Sequence, residues 1–255
     1  MPADAGRDVL LLAEIATRAG IHVVASTGLH HARYYDDRHW SIRLAPHEIA
    51  DLFVADIEVG IDALDYGGPV VRRTPHRAGV MKIAASEGGP SPRDARVFEA
   101  AAIAHRQTGC PILTHCEHGA GALEQVALLE DRGVDPSHVI LSHVDKVVDP
   151  GYHREILSTG AFVEYDQAFR WKDGQANGTL TLLEAVLTDG YGDQVVLGHD
   201  ATRQGYWTAY GGSPGMGYLL GPFSETMRER RFDSATIEAF FVANPARAYA
   251  FAEVA

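Results

Sequence analysis

Four residues of metal-binding type stand at or near the ends of short apolar runs: Lys82 in VMKIAAS, His115 in ILTHCEHG, His143 in ILSHVDK and Asp200 in VVLGHDATR. A further run, FVEYD, closes on Asp166. Each follows a stretch that must be buried, and a buried ionisable group is costly unless it is paired or bound to a metal. Imidazole and carboxylate suit zinc or a similar divalent ion, and an open coordination position holds water. A metal lowers the pKa of that water and makes hydroxide available near neutral pH. An unmodified lysine is a cation and a poor ligand, but the carbamate formed from lysine and CO2 is an oxygen donor that can bridge two metals. Each residue alone has a plainer reading: a hydrogen-bonded rim histidine, an ion-pair lysine, a helix N-cap aspartate. Their convergence on one rim is hard to explain as packing.

The elements that must position these groups alternate along the chain. Helical periodicity covers Val9 to Ala19, Pro46 to Gly60, about Arg93 to Thr108, about Ala120 to Gly133, Tyr152 to Ser158 and about Thr179 to Thr188. Between them lie strand-like runs at Ile21–Thr27, Gly79–Ala85, Pro111–Cys116, His138–Val144, Ala161–Asp166 and Gln194–Asp200. A Gly-rich loop runs from Thr202 to Gly221, and helical segments finish the chain. Continuous apolar strands alternating with amphipathic helices predict a parallel sheet buried on both faces. A doubly wound sheet would announce a nucleotide site with a Gly-rich first turn, and GxGxxG is absent. In a βα barrel, catalytic groups sit at the C-terminal ends of the strands, where these residues are.

Composition narrows the function classes. Of 255 residues, 22 are basic and 34 acidic, a net charge of −12 that disfavours nucleic acid. No apolar run approaches the ~20 residues of a membrane span. Met1 to Asp8 is polar and lacks the pattern of a signal peptide. Cys110 and Cys116 are too few for a disulfide framework and read as buried thiols, so the expected location is cytoplasmic. Histidine is the outlier, with 13. His22, His105, His138 and His153 fall on strand starts or helices and take no assigned role. His30, His31 and His118 fall in rim loops within reach of a substrate, while His199 should point away from its neighbour Asp200.

This combination resembles the phosphotriesterase family of the amidohydrolase superfamily, over essentially the entire chain. GRDVLLLAEIATRAGIHVVASTG looks like the family's helix–strand passage, and GVMKIAAS like its bridging-lysine strand. AAIAHRQTGCPILTH and GVDPSHVILSHVDKVVDPGY look like its two histidine strands, LGHDATR like its final aspartate strand and NPARAYAF like its closing helix. The resemblance implies a binuclear (β/α)8 TIM-barrel hydrolase with zinc or a related divalent metal at the barrel mouth. Lys82 would be the carboxylated bridge, His115 and His143 ligands of one metal, and Asp200 a ligand of the other. Asp200 would also take the proton of the attacking hydroxide, with Asp166 a candidate to relay it. The substrate would be a small-molecule ester, a phosphorus ester or a lactone. Arg203, Tyr206 and Trp207 of the 202–221 loop, with Trp171 and Arg170, would form the pocket wall. A homodimer is the expected assembly.

One departure bears on all of this. The family's first strand supplies a His-x-His pair, and no His-x-His occurs in this sequence. The expectation is therefore a single domain, 1–255, of the TIM-barrel type, cut at its N-terminus to about six βα units. The missing part would be roughly 60 residues at ~30 per unit. Such a chain would hold at most one metal tightly. The alternatives are a related amidohydrolase acting on C–N bonds and a non-catalytic, ligand-binding barrel.

Overall fold

The apolar runs become strands only where a neighbouring run supplies ladder partners. The computed structural model describes residues 6–171 and 176–254; residues 1–5, on which part of the N-terminal reading rests, lie outside them. The strands are β1 (Ser26–Thr27), β2 (Val80–Ala85), β3 (Ile112–Cys116), β4 (Val139–Ser142), β5 (Phe162–Tyr165) and β6 (Val195–Leu197). They form one sheet in the sequential order β1 to β6, every pair parallel. Sequential parallel order is that of a barrel wall, whereas a doubly wound sheet reverses its order at a switch point.

The helices are α1 (Val9–Ala19), α2 (Trp40–Arg43), α3 (Pro46–Glu58), α4 (Pro92–Thr108), α5 (Ala122–Asp131), α6 (Pro150–Ser158) and α7 (Gly178–Thr188). After the 202–218 loop come α8 (Ser224–Glu229), α9 (Ser234–Phe241) and α10 (Ala243–Ala248). Their starts follow local chemistry. Asp8 caps α1 by accepting from Leu11 N, and Gly20 closes it in the left-handed conformation. Ser91 and Asp94 form a reciprocal capping box ahead of α4, with Pro92 in the first turn.

Two expectations are corrected. The run Ile21–Thr27 yields a strand only at Ser26–Thr27, because its ladder with β2 pairs only Ser26 with Val80 and Thr27 with Met81, preceded by one bond from Gly79 N–H to the Ala25 carbonyl. Ile21, Val23 and Val24 consequently stay exposed, as do Leu10, Leu11 and Ile15 of α1. The 202–221 loop is not irregular throughout: it contains short helical turns at Gln204–Tyr206 and Thr208–Tyr210.

Strand periodicity divides the core in two. Met81, Ile83, Ile112, Leu141, Val163 and Tyr165 face the helices and are buried in the main apolar cluster. The alternate residues Ile140, Phe162 and Val196 meet Ala248 in a smaller cluster, with Leu113 and Tyr249 packed against it. Buried polar side chains also tie helices to the sheet, and His153 is one of them. His153 of α6 is fully buried, its Nε2 2.8 Å from the carbonyl of Val147 and its Nδ1 2.9 Å from the Tyr165 hydroxyl. A carbonyl only accepts, so Nε2 carries the proton and Nδ1 accepts from tyrosine. Burial lowers the pKa of His153 below its ordinary value of 6.5.

A depressed histidine contributes stability that is present above pH 6.5 and lost as pH falls below it, because the unfolded chain then binds the proton more readily. His153→Leu is expected to be less stable than the parent at pH 7 by about 1–3 kcal/mol, having stranded two hydrogen-bonding groups. Acidification toward pH 5 should narrow that gap by at most ~1.4 kcal/mol per pH unit. Urea denaturation of both proteins at several pH values checks this, and a gap independent of pH would refute it.

Candidate metal centre

Alternation along neighbouring strands turns one set of polar side chains into a common cavity. In the parallel register His115 stands opposite Ser142, and Ser142 opposite Glu164. These three, with Lys82 of β2, share a cavity of about 630 Å³ with His143, Asp166 and Asp200 from the strand ends. His30 and Lys146 reach it from loops. His143 and Asp200 have φ of 69° and 45°, left-handed values that non-glycine residues avoid. Such conformations persist where surrounding contacts hold them, and they gather at functional sites. Gly28 has the related duty of close approach: a Cβ there would lie 2.0 Å from the carbonyl oxygen of Lys82. This contact brings the loop bearing His30 against β2.

Three ligand atoms converge most closely. One each from His143, Asp166 and Asp200 lie within 4.8 Å of one another. The His143 Nδ1 is 2.5 Å from Asp166 Oδ2. Arg170 bridges the two carboxylate-bearing segments: its Nη2 is 2.9 Å from Asp200 Oδ2 and donates to the backbone oxygen of Asp200 at 2.5 Å. Its guanidinium also lies over the Phe169 and Tyr206 rings, 5.1 and 5.5 Å from their centroids. Beneath this group, Lys82 Nζ donates to Ser142 Oγ at 3.2 Å, and Ser142 donates to Glu164 Oε2 at 2.7 Å. Beside it, the His115 ring meets His143 edge-on at 4.5 Å, and its Nε2 lies 2.7 Å from Glu117 Oε2.

Burial sets the charge states. It pushes His143 and His115 down to about 3 and His30 to about 4, so the imidazoles are neutral and keep lone pairs. Burial also lowers the Lys82 ammonium, against the opposing pull of Glu164 and Asp166. Glu164 is raised to about 7 and Asp166 to about 6, again chiefly by burial. Neutral imidazoles beside carboxylates, with an amine depressed toward its nucleophilic, CO2-reactive form, make a donor set that fits a divalent cation.

Sequence reasoning named Lys82, His115, His143, Asp166 and Asp200, and all five line this cavity. The five residues named for the pocket wall, Arg170, Trp171, Arg203, Tyr206 and Trp207, are not among those that line it. Tyr206 and Trp171 line a neighbouring cavity of about 520 Å³ with Phe169, Arg170 and Tyr218. Arg203 and Trp207 are exposed. His199 stays out of the central cavity, although it lies beyond the end of β6 and not on a strand. Glu117, Ser142 and Glu164 were missed, although a signal existed: each stands two residues from a named partner or opposite one in register.

The profile of the phosphotriesterase family matches residues 3–249. A phospho-furanose lactonase of Mycoplasmopsis synoviae is 32% identical over 262 residues, covering 99% of this chain and 74% of that protein. An aryldialkylphosphatase of Saccharolobus solfataricus is 34% identical over 200 residues, covering 76% and 59%. The crystal structure of an amidohydrolase from Mycoplasma synoviae superposes with a TM-score of 0.92 at 30% identity, over 100% of this chain and 75% of that one.

The end of β5 and the start of α7 meet on one buried carboxylate. Asp145 accepts from the backbone N–H of Asp166 at 3.2 Å and of Gln167 at 2.9 Å, and from Thr179 Oγ1 at 2.7 Å. Asp145→Ala strands all three donors and is expected to lower the unfolding free energy by about 2–4 kcal/mol. Asp145→Asn, which keeps one acceptor oxygen, should lose less. Chemical denaturation of both variants checks this, and an alanine loss under about 1 kcal/mol would sink the assignment.

Proposed function

The chain belongs to the phosphotriesterase family, and from that membership and the side chains of its cavity we propose that it is a divalent-metal-dependent hydrolase of ester bonds whose substrates are lactones. The observation that carries this reading is the convergence of His143, Asp166 and Asp200, with Lys82 and His115 in the same cavity. We assign Lys82, as its carbamate, with His115, His143 and Asp200 to hold the ion, and zinc as the ion. When bound, such an ion polarises the ester carbonyl and lowers the pKa of water enough for attack near neutral pH. Asp200 takes the proton of the attacking water, and Arg170, paired to its Oδ2, fixes the direction of the carboxylate. Asp166, hydrogen-bonded to His143, relays that proton.

The polar mouth favours a hydroxylated lactone. His30, Thr202 and the exposed Lys146 offer hydrogen bonds and a positive charge, which suit a sugar lactone bearing an anionic group such as phosphate. The name of the Mycoplasmopsis synoviae relative agrees with this choice. A phosphotriester is the second reading, supported by the aryldialkylphosphatase relative and by the aromatic cavity of Trp171, Tyr206 and Phe169, beside which Arg203 and Trp207 lie in sequence. The buried thiols Cys110 and Cys116 fit a reducing compartment, and we place the protein in the cytoplasm.

Purified protein should contain a divalent metal and hydrolyse a phosphorylated furanose lactone faster than an aryl dialkyl phosphate. Chelation should abolish the activity and added zinc restore it. Asp200→Asn should lower kcat by roughly 10²–10⁴-fold. A chelated protein that retains full lactonase activity would refute the metal assignment. Lys82→Ala or His115→Ala that leave ligand binding intact, in a parent that hydrolyses nothing, would favour a binding module.

A further inference from the structure

We infer that Glu117 is a positioning residue that holds His115 in the tautomer protonated on Nε2 and so reserves its Nδ1 for the metal. The inference rests on the assignment of His115 as a metal-holding residue. Its own ground is a three-member chain of side chains that crosses from the β3 end to the loop after β1.

Glu117 Oε2 lies 2.7 Å from His115 Nε2. The same carboxylate is gripped by Arg33, whose Nη1 donates to Oε1 at 2.8 Å and whose Nη2 donates to Oε2 at 3.3 Å. A guanidinium fork on a carboxylate keeps it ionised, and an ionised carboxylate can only accept hydrogen bonds. The proton between Glu117 and a neutral His115 must therefore sit on Nε2, which leaves the lone pair on Nδ1. The Glu117 side chain is only 12% exposed, so water competes weakly for these bonds.

His143 supplies the contrast. It bonds its carboxylate, Asp166, through Nδ1, so the free lone pair is on Nε2. The two imidazoles, edge to face at 4.5 Å, thus present opposite nitrogens, each oriented by its own carboxylate. The two backing groups differ in origin. Asp166 comes from the end of the next strand, whereas Glu117 sits two residues after His115 and is held by a residue that is distant in sequence. Arg33 belongs to the loop that also carries His30 into the cavity. Arg33 does not itself line the cavity, although its guanidinium lies 5.2 Å over the ring of Tyr34, which does, so its loss should loosen His115 chiefly through Glu117.

The test pairs a spectroscopic readout with a binding readout. The ¹⁵N and ¹³C ring shifts of His115 in the metal-free parent should report the Nε2–H tautomer. In Glu117→Ala the ring should become a mixture of tautomers, and Arg33→Gln should shift it part of the way. Zinc affinity, measured by competition with a chromophoric chelator, should weaken by roughly 10–100-fold in Glu117→Ala and by less in Arg33→Gln. Glu117→Gln keeps an acceptor oxygen and should recover part of the affinity. Should Glu117→Ala not fold, the tautomer in the parent and in Arg33→Gln still decides the matter. An Nδ1–H tautomer in the parent would overturn the inference. So would a Glu117→Ala variant that keeps a single Nε2–H tautomer and zinc affinity within about twofold of the parent. A parent that takes up no zinc would refute the proposed metal dependence instead, leaving the tautomer result to judge Glu117 alone.

Discussion

Side chains on the inside of this sheet line a cavity where most are only partly reached by water, and β2 presents an amine there. Lys82 lies deep in the cavity, and its charge has to be met by the strands that follow. Ser142 and Glu164 meet it through two successive hydrogen bonds on adjacent strands. The same enclosure raises the carboxyls of Glu164 and Asp166 and lowers the imidazoles of His115 and His143. One constraint, the shortage of water, therefore both makes the histidines good donors and obliges the acids to find partners.

Buried polar networks outside the cavity hold the loops that carry these groups. Asp56 of α3 takes Arg7 on Oδ2 at 3.0 Å and Arg73 on Oδ1 at 2.6 Å, and also accepts from Thr27 at the end of β1. Tyr66 donates to the same carboxylate at 2.6 Å. This joins the segment before α1, the end of β1 and the 62–73 excursion, so the loop carrying His30 and Arg33 leaves β1 from a fixed base. Asp145 does the same on the other side by gathering the β5 end and the start of α7. Removing one member of such a network leaves an uncompensated buried charge, a larger loss than the net worth of the pair.

The alternation of helices and strands and the five strand-end residues were legible because both follow from hydrophobic periodicity, which is local. The length of β1 was not, since pairing depends on where β2 begins, and that is set by the 61–78 segment folding back on α3. Glu164 and Glu117 were legible in principle. A two-residue period puts Glu164 on the face of Asp166 and Glu117 near His115, but the ion pair that holds Glu117 comes from Arg33, 84 residues earlier in the chain. The placing of Tyr206 and Trp171 in a neighbouring cavity was not legible for a similar reason. Both gather around Arg170 and Phe169 in a second cavity, and no spacing in the 202–221 loop encodes that packing.

The left-handed backbones of His143 and Asp200 connect these levels. Each costs on the order of 1–3 kcal/mol; His143 directly follows β4 and Asp200 lies three residues beyond β6, where the chain turns these side chains into the cavity. Their partners oppose the strain: Asp166 holds the His143 ring, and Arg170 binds both the Asp200 carboxylate and its backbone oxygen. Arg170 is held in turn by two aromatic faces. The sheet's outer face carries no such burden, being packed with Met81, Ile83, Leu141 and Val163 against the helices. Stability therefore accrues where strand residues point outward. The same strands, read one residue out of phase, and their ends supply the strained and ionisable groups on which the proposed chemistry depends.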